Sequence, residues 1–156
     1  MTVFVVSDTH RSFLFAPFLE IVQAQKPDMV IHCGDGVCDA EDIAALHICP
    51  VVSVAGNCDA PGARERTVQA EGHTILVTHG HLFGAESSSE RLKEEARAQN
   101  ADIVCYGHTH TPDLTFSGGI WLINPGSLCR PRDDFSATYC RLSITRESIV
   151  PTLVPF

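Results

Sequence analysis

The chain is poor in basic residues. Of 156 residues, 11 are Lys or Arg and 19 are Asp or Glu, a formal net charge of −8. That balance argues against a surface for nucleic acid or acidic membranes, which needs positive charge. It leaves room for an anionic substrate at a site that carries its own cations. No apolar run approaches the ~18–20 residues of a membrane-spanning helix. The opening MTVFVVSDTH lacks a basic n-region and enters a strand-like run at once. It does not read as a signal peptide, so a cytoplasmic protein is expected. The seven cysteines (Cys33, Cys38, Cys49, Cys58, Cys105, Cys129 and Cys140) are odd in number and contain no CxxC pair. This argues against a disulfide framework or a cysteine-type zinc site. Cys33, Cys105 and Cys140 lie in apolar runs and read as small core residues. There is no internal repeat, linker or low-complexity segment. What remains is ordinary globular composition, 44% hydrophobic and 19% charged. One domain over residues 1–156 is expected.

The first half alternates strands and helices. Thr2–Val6, Asp28–Cys33 and Val51–Val54 are short runs rich in β-branched residues and predict buried strands. Leu14–Gln25 has helical apolar spacing and stops at Lys26-Pro27; Ala40–His47 predicts a second, weaker helix. The pattern then changes. Thr67–Ala70 and His73–Thr78 predict a hairpin turning at Glu71-Gly72. Ser87–Gln99 predicts a polar amphipathic helix, with Ser88 or Ser89 as cap. Strands follow at Ala101–Tyr106, Leu114–Phe116, Ile120–Ile123, Ser136–Ile144 and Ser148–Val154. An α/β first half and a β-rich second half predict two sheets packed face to face, with helices outside.

The strand ends carry the chemistry. Asp8 and His10, Asp35, Asn57, His79, and the pair His108 and His110 each follow an apolar run, with glycines alongside four of the five groups. Singly, each reads as a solvated strand end, a turn or a satisfied polar side chain. Together they form a constellation of the kind by which a site is recognised, where open α/β sheets bind ligands. If the segment after Gly107 is extended, His108 and His110 point the same way. Two carboxylates, four imidazoles and one amide exceed one tetrahedral zinc site. They suit two divalent ions sharing a carboxylate. The N/O donor mixture fits Mn²⁺, Fe, Ni²⁺ or Zn²⁺ better than Mg²⁺ or Ca²⁺, and Mn²⁺ is the expected choice. A centre of two dications and two carboxylates is positive and attracts an anion such as a phosphoester.

These motifs resemble the calcineurin-like metallophosphoesterase superfamily. The resemblance rests on Asp8-x-His10, Gly34-Asp35, Gly56-Asn57-Cys58-Asp59, Thr78-His79-Gly80-His81 and Gly107-His108-Thr109-His110. The small size, Cys58 and Asn124-Pro125-Gly126-Ser127 are similar to the YfcE-like phosphodiesterase branch. The resemblance implies a four-layer α/β/β/α sandwich. It implies that Asp8, His10 and His110 bind one metal, that Asp35 bridges, and that Asn57, His79 and His108 complete the second site. It further implies phosphodiester hydrolysis by in-line attack of a metal-bridging hydroxide, with Asp35, Asn57 and His79 at the reacting centre. Many superfamily members have histidine where this chain has Cys58, placed to protonate the leaving group. A thiol is a poor donor for that role, so activated or diester substrates are expected; Cys58 could equally be a packing residue.

Other residues have quieter readings. Arg11 and His81 are candidates for substrate contact. Asp59 could bond within its loop or orient a ligand. His32, His47 and His73 read as structural or exposed. Ser127 lacks a nucleophile elbow and reads as a loop residue. Arg130 and Arg132 read as surface. The expected partner is a small-molecule phosphoester, with no stable nucleic-acid or membrane binding and homo-oligomerisation open. The competing readings are an interaction scaffold on the same fold, like the retromer scaffold subunit, and a phosphomonoesterase or nucleotidase.

Overall fold

The fold is described from a computed structural model, which covers residues 1–132 and 134–156; the side chain of Leu14 lies outside that description. In chain order the elements are β1 (Thr2–Val6), α1 (Ala16–Gln25), β2 (Met29–His32), α2 (Val37–Ala45) and β3 (Val51–Ser53). There follow β4 (Glu65–Ala70), β5 (His73–Thr78), α3 (Glu90–Ala98) and β6 (Ile103–Cys105). The chain ends with β7 (Asp113–Ser117), β8 (Ile120–Asn124), β9 (Thr138–Ile144) and β10 (Ile149–Pro155). Two five-stranded sheets result, ordered β10-β9-β1-β2-β3 and β4-β5-β6-β8-β7.

Period-2 alternation builds four layers from these strands. In β1, Val3 and Val5 face inward with Ile31, Ile75, Ile103, Ile123 and Leu142, in the core between the sheets. Phe4 and Val6 face outward, against Phe18 and Val22 of α1 and Ile43 of α2. On the other sheet Leu76, Val104 and Leu122 pack outward against Leu92 and Ala96 of α3. The architecture is the expected α/β/β/α sandwich. Among the described residues no helix is long and apolar enough to cross a membrane.

The strands β1, β2 and β3 are mutually parallel, as are β5, β6 and β8. Parallel neighbours deliver their carboxyl ends to one edge, which is what gathers the strand-end loops.

Boundaries shift for local reasons. α1 begins at Ala16, after a 3₁₀ turn over Phe13–Phe15, and ends at left-handed Lys26, whose N–H donates to Val22 O at 2.9 Å. α2 begins at Val37, three residues before the expected Ala40. Its N-cap is Gly36, which has no side chain to cap with. The carboxylate of Asp59, from another loop, accepts the Val37 N–H at 3.1 Å instead. α3 starts at Glu90 rather than Ser87, and Ser88 Oγ accepts the Glu90 N–H at 3.2 Å. The Glu71-Gly72 hairpin is as expected, with positive φ at both turn residues.

Leu142→Ala tests the inter-sheet core. Its side chain is fully buried between the sheets, so truncation should cost about 2–5 kcal/mol in urea unfolding; a loss under about 1 kcal/mol would contradict the packing described.

Candidate metal centre

The loops after β1, β2, β3, β5 and β6 meet at one edge of the sandwich. Main-chain bonds fasten them together. Asp8 N–H donates to Gly34 O at 3.0 Å and His10 N–H to Asp35 O at 2.9 Å. Gly107 N–H donates to His79 O at 3.1 Å. Five of the seven expected ligands, Asp8, His10, Asp35, His108 and His110, have positive φ. Non-glycine residues hold that conformation only where the surroundings impose it.

The loops approach one another closely at two glycines. A Cβ on Gly107 would meet Ser7 Oγ at 1.8 Å and Asp8 Oδ2 at 2.7 Å. One on Gly56 would meet Asp35 Oδ1 at 2.0 Å. No side chain fits between these loops.

Three ligand groups result. Asp8, His10 and His110 offer atoms within 4.8 Å of one another, as do Asp8, Asp35 and His79, and His10, Asp35 and Cys58. His10 Nε2 and His110 Nε2 face each other at 3.4 Å, and His110 Nε2 lies 3.2 Å from Asp8 Oδ1. His79 Nε2 lies 3.5 Å from Asp35 Oδ2 and 3.1 Å from Asn57 Oδ1. His108 lies against His79, ring centroids 5.1 Å apart, and its Nε2 is 3.6 Å from Glu86 Oε2. The expectation of an extended His108-Thr109-His110 segment is corrected here. Both histidines are left-handed, so strand alternation does not govern them. One turns toward His79 and the other toward Asp8 and His10.

The tautomers follow from the main chain. His110 Nδ1 faces Arg130 O at 2.6 Å and His79 Nδ1 faces Cys33 O at 2.8 Å. A carbonyl only accepts, so both Nδ1 atoms carry the proton and both Nε2 atoms present a lone pair to the centre. Asp8 Oδ1, fully buried, has no hydrogen-bond donor; the nearby His110 Nε2 is not aligned to give one. An anionic oxygen cannot be left so at low cost. Lone pairs and carboxylates converging on one space fit divalent cations.

Without cations, protons fill part of that role. Burial pulls His79 down, but its hydrogen bond to Asp35 and the nearby carboxylates outweigh that and lift its pKa. The Asp8 carboxylate close to its ring lifts His110. Burial lowers His10, His81 and His108. Burial favours neutral Asp8 and Asp35, yet His110 and His79 hold Asp8 below its usual range, and His79 with the Cys58 N–H holds Asp35 far below. Its hydrogen bond to Asp35, then burial, raises the Cys58 thiol.

The remaining expected residues fall as follows. Cys58 and Arg11 are exposed and line a cleft of about 190 Å³ with His10, Asp35, Gly36 and Asp59. His81 stacks near His79 and His108, centroids 5.3 and 5.9 Å away, and its buried Nδ1 has no partner. Asp59 accepts the N–H groups of Asp35, Gly36, Val37 and Gly56, at 2.8, 3.3, 3.1 and 2.9 Å. One carboxylate thus ties the β2 and β3 loops. Ser127 is a loop residue, donating to Asp8 O at 2.7 Å. His47 is exposed, and His73 faces Thr145 O at 3.1 Å. Arg130 and Arg132 are exposed.

The sequence reading missed a support behind the centre. His32 is fully buried; its Nδ1 accepts the Gly34 N–H at 3.2 Å, so its Nε2–H donates to Thr9 Oγ1 at 3.0 Å. The Thr9 hydroxyl in turn donates to Asp39 Oδ2, which also accepts the Arg11 N–H at 2.9 Å. Asp39 sits in the first turn of α2, and nothing in its sequence context marks it. Arg64 braces the β3 loop, donating to Gly56 O and Ala55 O.

A family model, the calcineurin-like phosphoesterase superfamily domain, matches residues 1–147. The chain is 31% identical over 150 residues to the probable metallophosphoesterase YsnB of Bacillus subtilis, covering 95% of this chain and 87% of that one. It is 36% identical over 99 residues to the phosphodiesterase YfcE of Escherichia coli, covering 57% of this chain and 50% of that one. Among solved structures, Entamoeba histolytica Vps29 complexed with Zn²⁺ superposes with a TM-score of 0.79 at 23% identity, covering 99% of each chain. That likeness concerns the fold alone.

Two measurements probe this geometry. Asp59→Ala frees four N–H groups, and cation affinity by calorimetry should fall roughly 10–100-fold; unchanged affinity would remove Asp59 from the support. His32 has its pKa pushed down by burial from 6.5 to about 4. The unfolded chain therefore takes up a proton below 6.5 that the folded state refuses until about 4. Stability should fall as pH drops through that window, by about 3 kcal/mol from this group. His32→Gln should flatten that slope in cation-free urea melts; an identical slope would show that His32 does not cause it.

Proposed function

The chain belongs to the calcineurin-like phosphoesterase superfamily, and on that premise we propose that it is a phosphodiesterase working with two divalent cations. The observation that carries this is the buried, donorless Asp8 Oδ1 facing imidazole lone pairs fixed by main-chain carbonyls. Asp8, His10 and His110 would hold one cation and Asn57, His79 and His108 the other, with the Asp35 carboxylate within reach of both groups. The Asp35 oxygens support that placement, one accepting the Cys58 N–H at 2.8 Å and the other facing His79.

Bound cations supply Lewis acidity toward phosphoryl oxygens and acidify water. Mn²⁺, Ni²⁺, Fe and Zn²⁺ suit the N/O donors. The protein's own groups do the rest. Fixed ligands and rigid loops set the approach of nucleophile and phosphorus before the reaction begins. Arg11, on the wall of the cleft, takes a phosphoryl oxygen. His81, whose ring lies beside those of His79 and His108, contacts the substrate on the His79 side. No imidazole stands at the leaving-group position. A thiol in place of that imidazole is a poor proton donor, so leaving groups that need little protonation are favoured, as in activated diesters.

The second reading is an interaction module. The Vps29 fold supports it, and that relative's structure holds Zn²⁺. A filled cation site therefore does not separate the two readings; turnover does. An activated aryl phosphodiester should be hydrolysed in the presence of Mn²⁺ or Ni²⁺, and Asp35→Ala should lower kcat/KM at least about a hundredfold. Wild type inert with every metal would leave the interaction module. Undiminished turnover by Asp35→Ala would remove the shared carboxylate from the mechanism.

A further inference from the structure

Cys58 has a position that neither acid catalysis nor packing uses. Its Sγ, a ring nitrogen of His10 and a carboxylate oxygen of Asp35 all lie within 4.8 Å of one another. Its own N–H, bound to Asp35 Oδ1 at 2.8 Å, fixes the main chain of Cys58 on that carboxylate. The neighbouring Asn57 amide donates to Sγ at 3.4 Å while its oxygen faces His79. The sulfur is exposed on the wall of the cleft, open to an arriving ion. His10 and Asp35 also belong to the groups that contain Asp8, and the buried Asp8 Oδ1 has no donor. A thiolate, an imidazole and a carboxylate on one centre form a ligand set softer than imidazole and oxygen alone.

We propose that Cys58 is a metal ligand, completing with His10 and Asp35 the cation site on the β1–β3 side, and that it makes this site select Zn²⁺ or Co²⁺ over Mn²⁺. The inference rests on the two-cation reading above. On coordination the thiol proton leaves to solvent and the sulfur binds as thiolate; no redox partner is involved. The other cysteines do not share this placement. Cys33, Cys105 and Cys140 are buried in the core between the sheets. Cys58 alone among the described cysteines joins a group of metal-competent side chains.

Cobalt makes the sulfur visible. The metal-stripped protein is loaded with Co²⁺, and its absorption is recorded beside that of Cys58→Ser, an exposed position where the variant should fold. Wild type should show a near-ultraviolet sulfur-to-cobalt charge-transfer band together with the visible ligand-field bands. Cys58→Ser should keep the visible bands and lose the charge-transfer band. In competition titrations its preference for Zn²⁺ over Mn²⁺ should shrink about tenfold. Visible bands without charge transfer in wild type would overturn the inference while leaving the two-cation reading standing. A charge-transfer band that survives in Cys58→Ser would overturn it by assigning the sulfur elsewhere. Failure of wild type to bind Co²⁺ at all would remove both readings.

Discussion

Everything at the active edge depends on how Asp8 is held. Its side chain is buried, one oxygen accepts the His108 N–H at 3.0 Å, and the other has no donor. Its N–H is spent on Gly34 and its carbonyl accepts from Ser127. One residue at the end of β1 is therefore bonded to the loop after β2, the loop after β6 and the loop after β8. The two sheets would pack through Val5, Ile31, Ile103 and Leu142 in any case. Burial alone does not fix how one sheet sits over the other to within the tolerance of a metal site. The charged oxygen of Asp8 sets a penalty on misplacement that apolar contacts do not.

Much of this was legible in the chain. The buried run of β1, the Glu71-Gly72 turn and the order of the strand-end motifs each follow from local rules. What was not legible comes from groups distant in sequence. The start of α2 needs a cap, and the cap is Asp59, 22 residues on. The directions of His108 and His110 depend on positive φ at both, in a loop that packs tightly against Ser7 and Asp8 at Gly107. His32 looked like an ordinary strand residue, because no short-range pattern links it to Thr9 and Asp39. Sequence spacing identifies which residues carry ligand atoms. Their orientation is a property of the assembled edge.

The support around the centre is unevenly divided. The carboxylates bear the geometric load: Asp59 gathers four N–H groups from two loops, and Asp35 and Asp8 each fix a neighbouring loop through one N–H. The imidazoles are aimed by backbone instead. This division suits chemistry at phosphorus, where positioning and fixed charge contribute most of the rate.

The two carbonyls that set the histidine tautomers belong to Cys33 and Arg130. Both are main-chain atoms. A point substitution at either position replaces a side chain and leaves the oxygen where it was. The aim of His79 and His110 is therefore insulated from exchange of residue type there and exposed to changes in loop length. A one-residue insertion between Ser127 and Arg130 would withdraw the acceptor and free the ring to carry its proton on Nε2. For an engineer, the exposed Arg130 position tolerates a new side chain far better than its loop tolerates a new length, whereas Cys33 is also packed in the core.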